Sequence, residues 1–381
     1  MKCFAQVYRL GDQALRLHQE ISFKPSWRRY FVEKYFKLKA WIYFSKSLSM
    51  RNDFRALKML NFKWLVFLCA AALCDTGFAA NPVFGLNSLD ATVSVIDPLT
   101  WRVTKLIPTG KEPHHFYMTP DERSVIVANA GGDSLTFIDP KTAEVQRVIK
   151  GTLDPYHLRF SPDMKWLVTV GNRLNHIDIY QWNSEELKLI KRVPSSKTPS
   201  HLWIDSKSTV VYSTMQDSDE LIAMDLSTQK IKWRVKTGST PADVFGTSDD
   251  KFLLVALTGG REVQVFDVSK ETAQLTKSIP TGEGAHAFRA LGDGRHVFVS
   301  NRVANTISKI DLQTLSVVSQ FNAPGGPDCM EVSADMKTLM VSSRWIKKVS
   351  IIDIQSGALT KQVNVGRSPH GVWTLDHAKR Q

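Results

Sequence analysis

A proline-led segment returns seven times at nearly constant spacing, and that regularity constrains the fold more than any other property of the chain. The first copy reads EPHHFYMTPDERSVIVANAGGDSLTFIDPKT, with its proline at position 113. Later copies place Pro155, Pro199, Pro241, Ala285, Pro327 and Pro369 at the same point, so the intervals are 42, 44, 42, 44, 42 and 42 residues. A repeat of this length is one supersecondary unit that cannot bury its apolar face alone and must stack on its neighbours. In each copy a short apolar run leads to a turn. Five copies carry Asp121, Asp163, Asp249, Asp293 and Asp335 there at one register, where a short carboxylate can bond nearby backbone. A second apolar run follows (SVIVAN, HVFVSN), then a third ending in ID or a close variant, then a more polar fourth (VQRVIK, SVVSQF).

Four strands in about 40 residues make one blade of a β-propeller. The chain ends are complementary. The last copy stops after its first strand, HGVWTL, while VFGLNSLDATVSVIDPLTWRVTKLIPTG near position 83 supplies a second, third and fourth strand with no first. Joined, they make a seventh blade and leave no large open edge. The expected fold is therefore all-β: a seven-bladed β-propeller of four-stranded antiparallel blades over residues 80–381, closed by N- and C-terminal strands in one shared blade. SPD, VSNRVANTISKIDLQT and VGRSPHGVWTLD resemble the YVTN β-propeller family of exported bacterial repeat proteins, whose unit runs P-H-G, a strand, S-P-D-G, then Y-V-T-N. The resemblance covers about 82–376 and implies the fold. It implies no single activity, because roles in that family are diverse. The chain departs from the pattern where glycine is expected after the P-H pair.

The formal charge of +12 suggests a polyanion partner until it is located. Residues 1–79 hold 14 Lys and Arg against 5 Asp and Glu, whereas residues 80–381 hold 35 against 32. The body is nearly balanced and carries no bulk nucleic-acid footprint, which argues against single-stranded DNA binding, a role the family resemblance would allow. KMLNFKWLVFLCAAALCDTGFAANP has Lys58 and Lys63, an apolar run from Trp64 to Leu73, and small residues Gly77 and Ala79. That is the order of a secretory signal peptide, expected over 59–79. The run is short for a stable membrane span. Leu73 before Cys74 disfavours a lipoprotein anchor. A periplasmic or secreted, monomeric protein is expected, with residues 1–58 a non-native or disordered extension from a misassigned start. Cys3, Cys69 and Cys74 lie in the removed part, so Cys329 stays alone with no internal disulfide framework.

Residues 80–381 hold nine histidines, and six of them occupy the two positions after the repeat proline. Chance would put about half of one among those fourteen positions. The first position reads His114, Tyr156, Ser200, Ala242, His286, Asp328, His370; the second reads His115, His157, His201, Asp243, Ala287, Cys329, Gly371. Neighbouring residues on an extended strand face opposite ways, so only one ring is expected to face the channel squarely. Histidine at the first position is the family's habit, and there it is expected to satisfy backbone groups between blades. The second position lacks that explanation. His115, His157, His201 and Asp243 fall in four consecutive blades, an arc suited to zinc, copper or iron, to proton transfer, or to an anion.

The loops leaving each second strand return to the same end. Arg302 and Arg344 share a register there, and Arg173 lies one residue later. Beside histidines, such arginines suit a carboxylate or phosphate. Trp345 offers a stacking face or a blade cap, and Cys329 a ligand or a small buried residue. No phosphate loop, dinucleotide fingerprint, G-x-S-x-G elbow or haem-attachment motif is present in the sequence. The expectation is a ligand-binding or accessory propeller whose partner is a small anion or a periplasmic protein. The alternative is an enzyme or redox accessory. One form resembles propeller lactonases, with Glu331 the one glutamate close after a repeat proline. The other resembles the haem- or copper-binding propellers that gather histidines in their channels.

Overall fold

The computed structural model describes residues 80–380; the expected extension (1–58) and signal peptide (59–79) lie outside the described residues. Seven four-stranded antiparallel sheets form the fold. Their first strands are Pro113–Met118, Pro155–Phe160, Pro199–Ile204, Pro241–Gly246, Ala285–Ala290, Pro327–Val332 and Pro369–Thr374, numbered blades 1 to 7 in that order. Each of these strands touches the corresponding strand of the next blade, and that of blade 7 touches that of blade 1, so they line a closed central channel. Blade 7 is built from both ends as expected. Pro369–Thr374 pairs with Val83–Asn87, which is followed by Thr92–Asp97 and Arg102–Pro108. Trp373 and Phe84 are both fully buried at that seam, with ring centroids 5.9 Å apart. The Asp376 carboxylate accepts bonds from the Asn81 backbone N–H and side-chain amide at 2.9 and 2.8 Å.

Burial grades outward. The second strands are almost wholly buried, while a fourth strand such as Arg102–Pro108 buries only Ile107. The inner strands read as continuous apolar runs because neighbouring blades cover both faces. The turn aspartates act as expected. Asp121, Asp163, Asp249 and Asp335 each accept a hydroxyl two residues back and the N–H two residues on, closing the hairpin with local bonds.

The entry to each first strand fixes the site. The residue before it is left-handed in all seven blades: Glu112, Asp154, Thr198, Thr240, Gly284, Gly326 and Ser368. Five of these carry a side chain in a conformation that disfavours one, so the tight approach between blades is imposed by packing. Directly after it the ladder slips. Pro113 pairs with Asn129 and His115 with Ala128; Pro199 pairs with Met215 and Leu202 with Ser213. Two residues on the first strand oppose one on the second, which is a β-bulge. Strict alternation fails there, and both positions after the proline turn into the channel. His370, a first-position residue, has its ring 3.7 Å from that of His114 and 4.8 Å from that of His115. The expectation that neighbours would face opposite ways is corrected by this bulge.

Candidate functional site

The two histidine rings form two layers stacked along the channel. The first layer is a sealed polar plug centred on Asp328, which is fully buried. One carboxylate oxygen lies 3.0 Å from His286 Nε2 and 3.5 Å from His370 Nε2. The other accepts from Arg302 at 2.8 Å and Arg344 at 3.1 Å. Burial opposes ionisation of Asp328, but Arg302 and the flanking histidines hold it well below the usual carboxylate range. Burial also keeps His114 and His370 neutral, well below their ordinary value, and pushes His286 down to about 4 against the pull of Asp328. Two arginines against one carboxylate leave this layer with a surplus positive charge.

The first-position histidines do not satisfy backbone groups between blades, as the sequence suggested. Side chains at the ends of second strands do so: Ser88 donates to the Pro113 carbonyl at 2.7 Å, Thr214 to Ala242 at 2.6 Å and Thr258 to Ala285 at 3.0 Å. Among the first-position histidines, His286 and His370 face Asp328, and His114 packs its Nδ1 2.9 Å from that of His115.

The second layer brings His115, His157 and His201 together. Their rings are 4.6 to 4.7 Å apart centre to centre, with His157 stacked on His201. One nitrogen from each lies within 4.8 Å of the others. Each ring has a defined environment. Tyr156 presents its carbonyl 2.8 Å from His115 Nδ1; a carbonyl can only accept, so that nitrogen carries the proton and Nε2 keeps the lone pair. Asp243 lies 2.8 Å from His201 Nδ1 and accepts from it. Asp243 is itself clamped by the Val244 and Phe288 N–H groups, both at 2.8 Å. Burial opposes its ionisation, yet His201 and those bonds hold it below the usual carboxylate range. His115 is pushed down to about 3, chiefly by burial and then by His201, and burial takes His157 well below its ordinary value. Both are neutral at neutral pH. His157 Nδ1 and His201 Nε2 are buried without a hydrogen-bond partner among the described residues.

The second layer opens on a cavity of about 430 Å³, whose lining includes none of the first-layer residues. Two residues further along each first strand, Tyr117, Arg159, Trp203, Phe245, Arg289, Glu331 and Trp373 form its wall, and Lys379 and Arg380 cross it from the C-terminus. The Arg159 guanidinium sits 4.1 Å over the Trp203 ring and has no carboxylate or hydrogen-bond partner among the described residues. Glu331 is buried between Arg289, at 2.6 Å, and Arg380, and Arg289 also holds the Ala378 carbonyl at 2.8 Å. The glutamate thus latches the C-terminal segment.

The candidate residues therefore divide. His115, His157, His201 and Asp243 assemble at the cavity. His114, His286 and His370 belong to the plug, with Arg302 and Arg344 spent on Asp328. Arg173 does not join them: it pairs with Glu112 at 2.6 Å and Asp154 at 3.2 Å between blades 1 and 2. Its offset by one residue placed it in a different network. Trp345 lies against Gly326, where any Cβ would meet its ring at 2.5 Å, and is otherwise exposed. Cys329 is half-buried on the cavity wall, its sulfur 3.9 Å from His115 Nε2, and burial raises its thiol pKa well above the ordinary value. The sequence reading missed Asp328 as the hub and Arg159 with Trp203 as wall residues. The signal for the latter was the same repeat register, two positions on.

No helix among the described residues is long and apolar enough to cross a membrane. Relatives named "Uncharacterized protein YncE" from Salmonella typhi and Salmonella typhimurium are each 30% identical over 171 residues, covering 42% of this chain and 46% of theirs. The chain thus aligns with about half the length of those curated relatives. A functionally unknown protein from Desulfotomaculum acetoxidans superposes with a TM-score of 0.69 at 16% identity, covering 79% of this chain and 100% of its own. The periplasmic gluconolactonase PpgL of Pseudomonas aeruginosa gives 0.66 at 17%, covering 79% and 99%. These likenesses carry the fold alone. The model of YNCE-like beta-propellers matches residues 61–380, and the chain belongs to that family.

Proposed function

We propose that this protein is an exported, periplasmic binding propeller that takes a small anionic molecule into its channel cavity. The observation that carries the reading is Arg159, a guanidinium held over Trp203 inside the cavity with no acidic partner among the described residues. A cavity near 430 Å³ falls within the size range of small-molecule sites. Its charge supports an anion: Arg159, Arg289, Lys379 and Arg380 line it, against Glu331 and Asp243. An unpaired guanidinium over an aromatic face offers a carboxylate or phosphate a flat, two-pronged donor. Export rests on the charge, apolar run and small residues of 59–79.

A hydrolytic version is constrained by Glu331. Its ion pairs with Arg289 and Arg380 occupy it as a latch, so water activation in this cavity would fall to the second-layer imidazoles. Calorimetric titration of the purified full chain with inorganic phosphate, succinate and citrate tests the binding reading. Saturable binding of at least one probe is expected, weakened about 10-fold or more in Arg159→Ala, the loss of one charge-assisted bond. Binding by none, or binding untouched in a folded Arg159→Ala variant, would overturn it and leave the accessory role, with loops presented to a partner protein.

A further inference from the structure

We propose that His115, His157 and His201 form a site for one divalent first-row transition metal ion, of the zinc or copper kind, with Asp243 positioning His201 and an open coordination position facing the cavity. The inference stands on the geometry of the cluster and is independent of the anionic ligand.

Three imidazoles from three consecutive blades converge so that one nitrogen of each lies within 4.8 Å of the other two. A tetrahedral ion bonded to nitrogen at about 2.0–2.1 Å needs its donors roughly 3.3 Å apart, so binding must draw the three nitrogens together and turn His157 out of its stack on His201. The Tyr156 carbonyl and the Asp243 carboxylate hold Nδ1–H of His115 and His201, which leaves Nε2 of His115 as a donor and Nε2 of His201 as the one nitrogen of that ring open to an ion. A carboxylate behind a metal-bound histidine is the usual outer partner, fixing both tautomer and ring plane. His201 Nε2 and His157 Nδ1 are buried with nothing to bond, which is costly for a polar atom unless a partner arrives. Three nitrogen donors on one side and a cavity on the other match the three-ligand, open-position arrangement of zinc sites that act on substrates, and imidazole suits zinc, copper and iron alike.

Two other clusters lie nearby: His114, His115 and His370 share His115 with this one, but His114 and His370 lie in the sealed layer, without its carboxylate, and charge rules against the second. His286, Asp328 and His370 also converge, but Arg302 and Arg344 already sit on Asp328, and a divalent ion there would meet two guanidinium groups. The second layer carries Asp243 and no directly paired cation. Arg159 lies on the wall beyond it.

The test is titration of the untagged full chain, freed of metal by a chelator, with Zn²⁺. One saturable equivalent is expected. Binding should be abolished in His157→Ala/His201→Ala and weakened about 10–100-fold in Asp243→Asn, the usual effect of losing an outer carboxylate. Thermal unfolding of each variant in chelator establishes that it folds. Paramagnetic resonance of the Cu²⁺-loaded wild type gives a readout that needs no variant, and imidazole nitrogen couplings are expected in it. Absence of a saturable equivalent, a copper spectrum without imidazole couplings, or undiminished binding by a folded double variant would overturn the proposal. Because the probe is the metal alone, these results are read separately from those with phosphate, succinate or citrate.

Discussion

Two layers of histidine, one residue apart in every repeat, use the same side chains for opposite ends. In the first, Asp328 gathers His286, His370, Arg302 and Arg344 into a buried plug. In the second, Asp243 orients His201 beside His115 and His157, and His157 Nδ1 and His201 Nε2 lie beside a cavity without a hydrogen-bond partner among the described residues. Residue type does not distinguish them. Two arginines reach the first layer from loops of blades 5 and 6, and that surplus charge turns a possible ligand set into a structural knot. A cluster of histidines and a carboxylate is a site only where its charge and its lone pairs are left free.

The largest effect expected from this arrangement is common to both layers. His114, His115, His157, His286 and His370 are all depressed below 6.5, His286 to about 4 and His115 to about 3. An unfolded chain takes up these protons near pH 6.5 and the folded one does not, so their contribution is complete above that pH and lost as pH falls toward 4 and below. Each such histidine adds a slope of about 1.4 kcal/mol per pH unit. Urea unfolding followed from pH 7 to 5 in chelator should show stability falling steeply from near 6.5; a flat profile would contradict the sealed state of both layers.

The next effect separates them. Asp328→Asn strands two arginines in the plug and should lower stability by about 3 kcal/mol. Asp243→Asn loses one charge-assisted contact, and about 1 kcal/mol is expected. Equal losses in urea midpoint would break the distinction between knot and site. A smaller but sharper test is Arg302→Met/Arg344→Met, which removes the surplus charge. If charge alone disqualifies the first layer, Zn²⁺ titration of this variant should show a second, weaker equivalent; a single equivalent would assign the difference to access instead. The smallest effect is Ser200→Ala. The Ser200 hydroxyl is buried in the first layer without a partner, so its removal should raise stability by up to about 1 kcal/mol. A clear loss on thermal unfolding would mean that this hydroxyl takes part in the plug.

The ring was legible because symmetry writes it seven times. Proline spacing gave the blade count, and the incomplete units around Val83 and Pro369 gave the closure. The histidine cluster was legible for the same reason, since register alone brings His115, His157 and His201 to one level. What escaped lies where the repeat is broken or crossed. The bulge after Pro113 and its equivalents reverses the simple alternation of a strand, and nothing in PHHFYM announces it. Asp328 stood in the tally of first positions, but its role depends on Arg302 and Arg344, which reach it from two different loops. Arg173 looked like their companion until Asp154 and Glu112, residues of the blade entries, were seen to hold it. Arg159 and Trp203 share a register with Tyr117, Phe245, Arg289, Glu331 and Trp373, and aromatic residues on a first strand read equally well as packing, so the register alone did not single them out.

Anomalous diffraction from crystals soaked in Zn²⁺, recorded at the zinc edge, would compare the two layers in one experiment. A single channel peak is predicted among His115, His157 and His201, with none among His286, Asp328 and His370. A peak in the arginine-bound layer, or none in either, would contradict it.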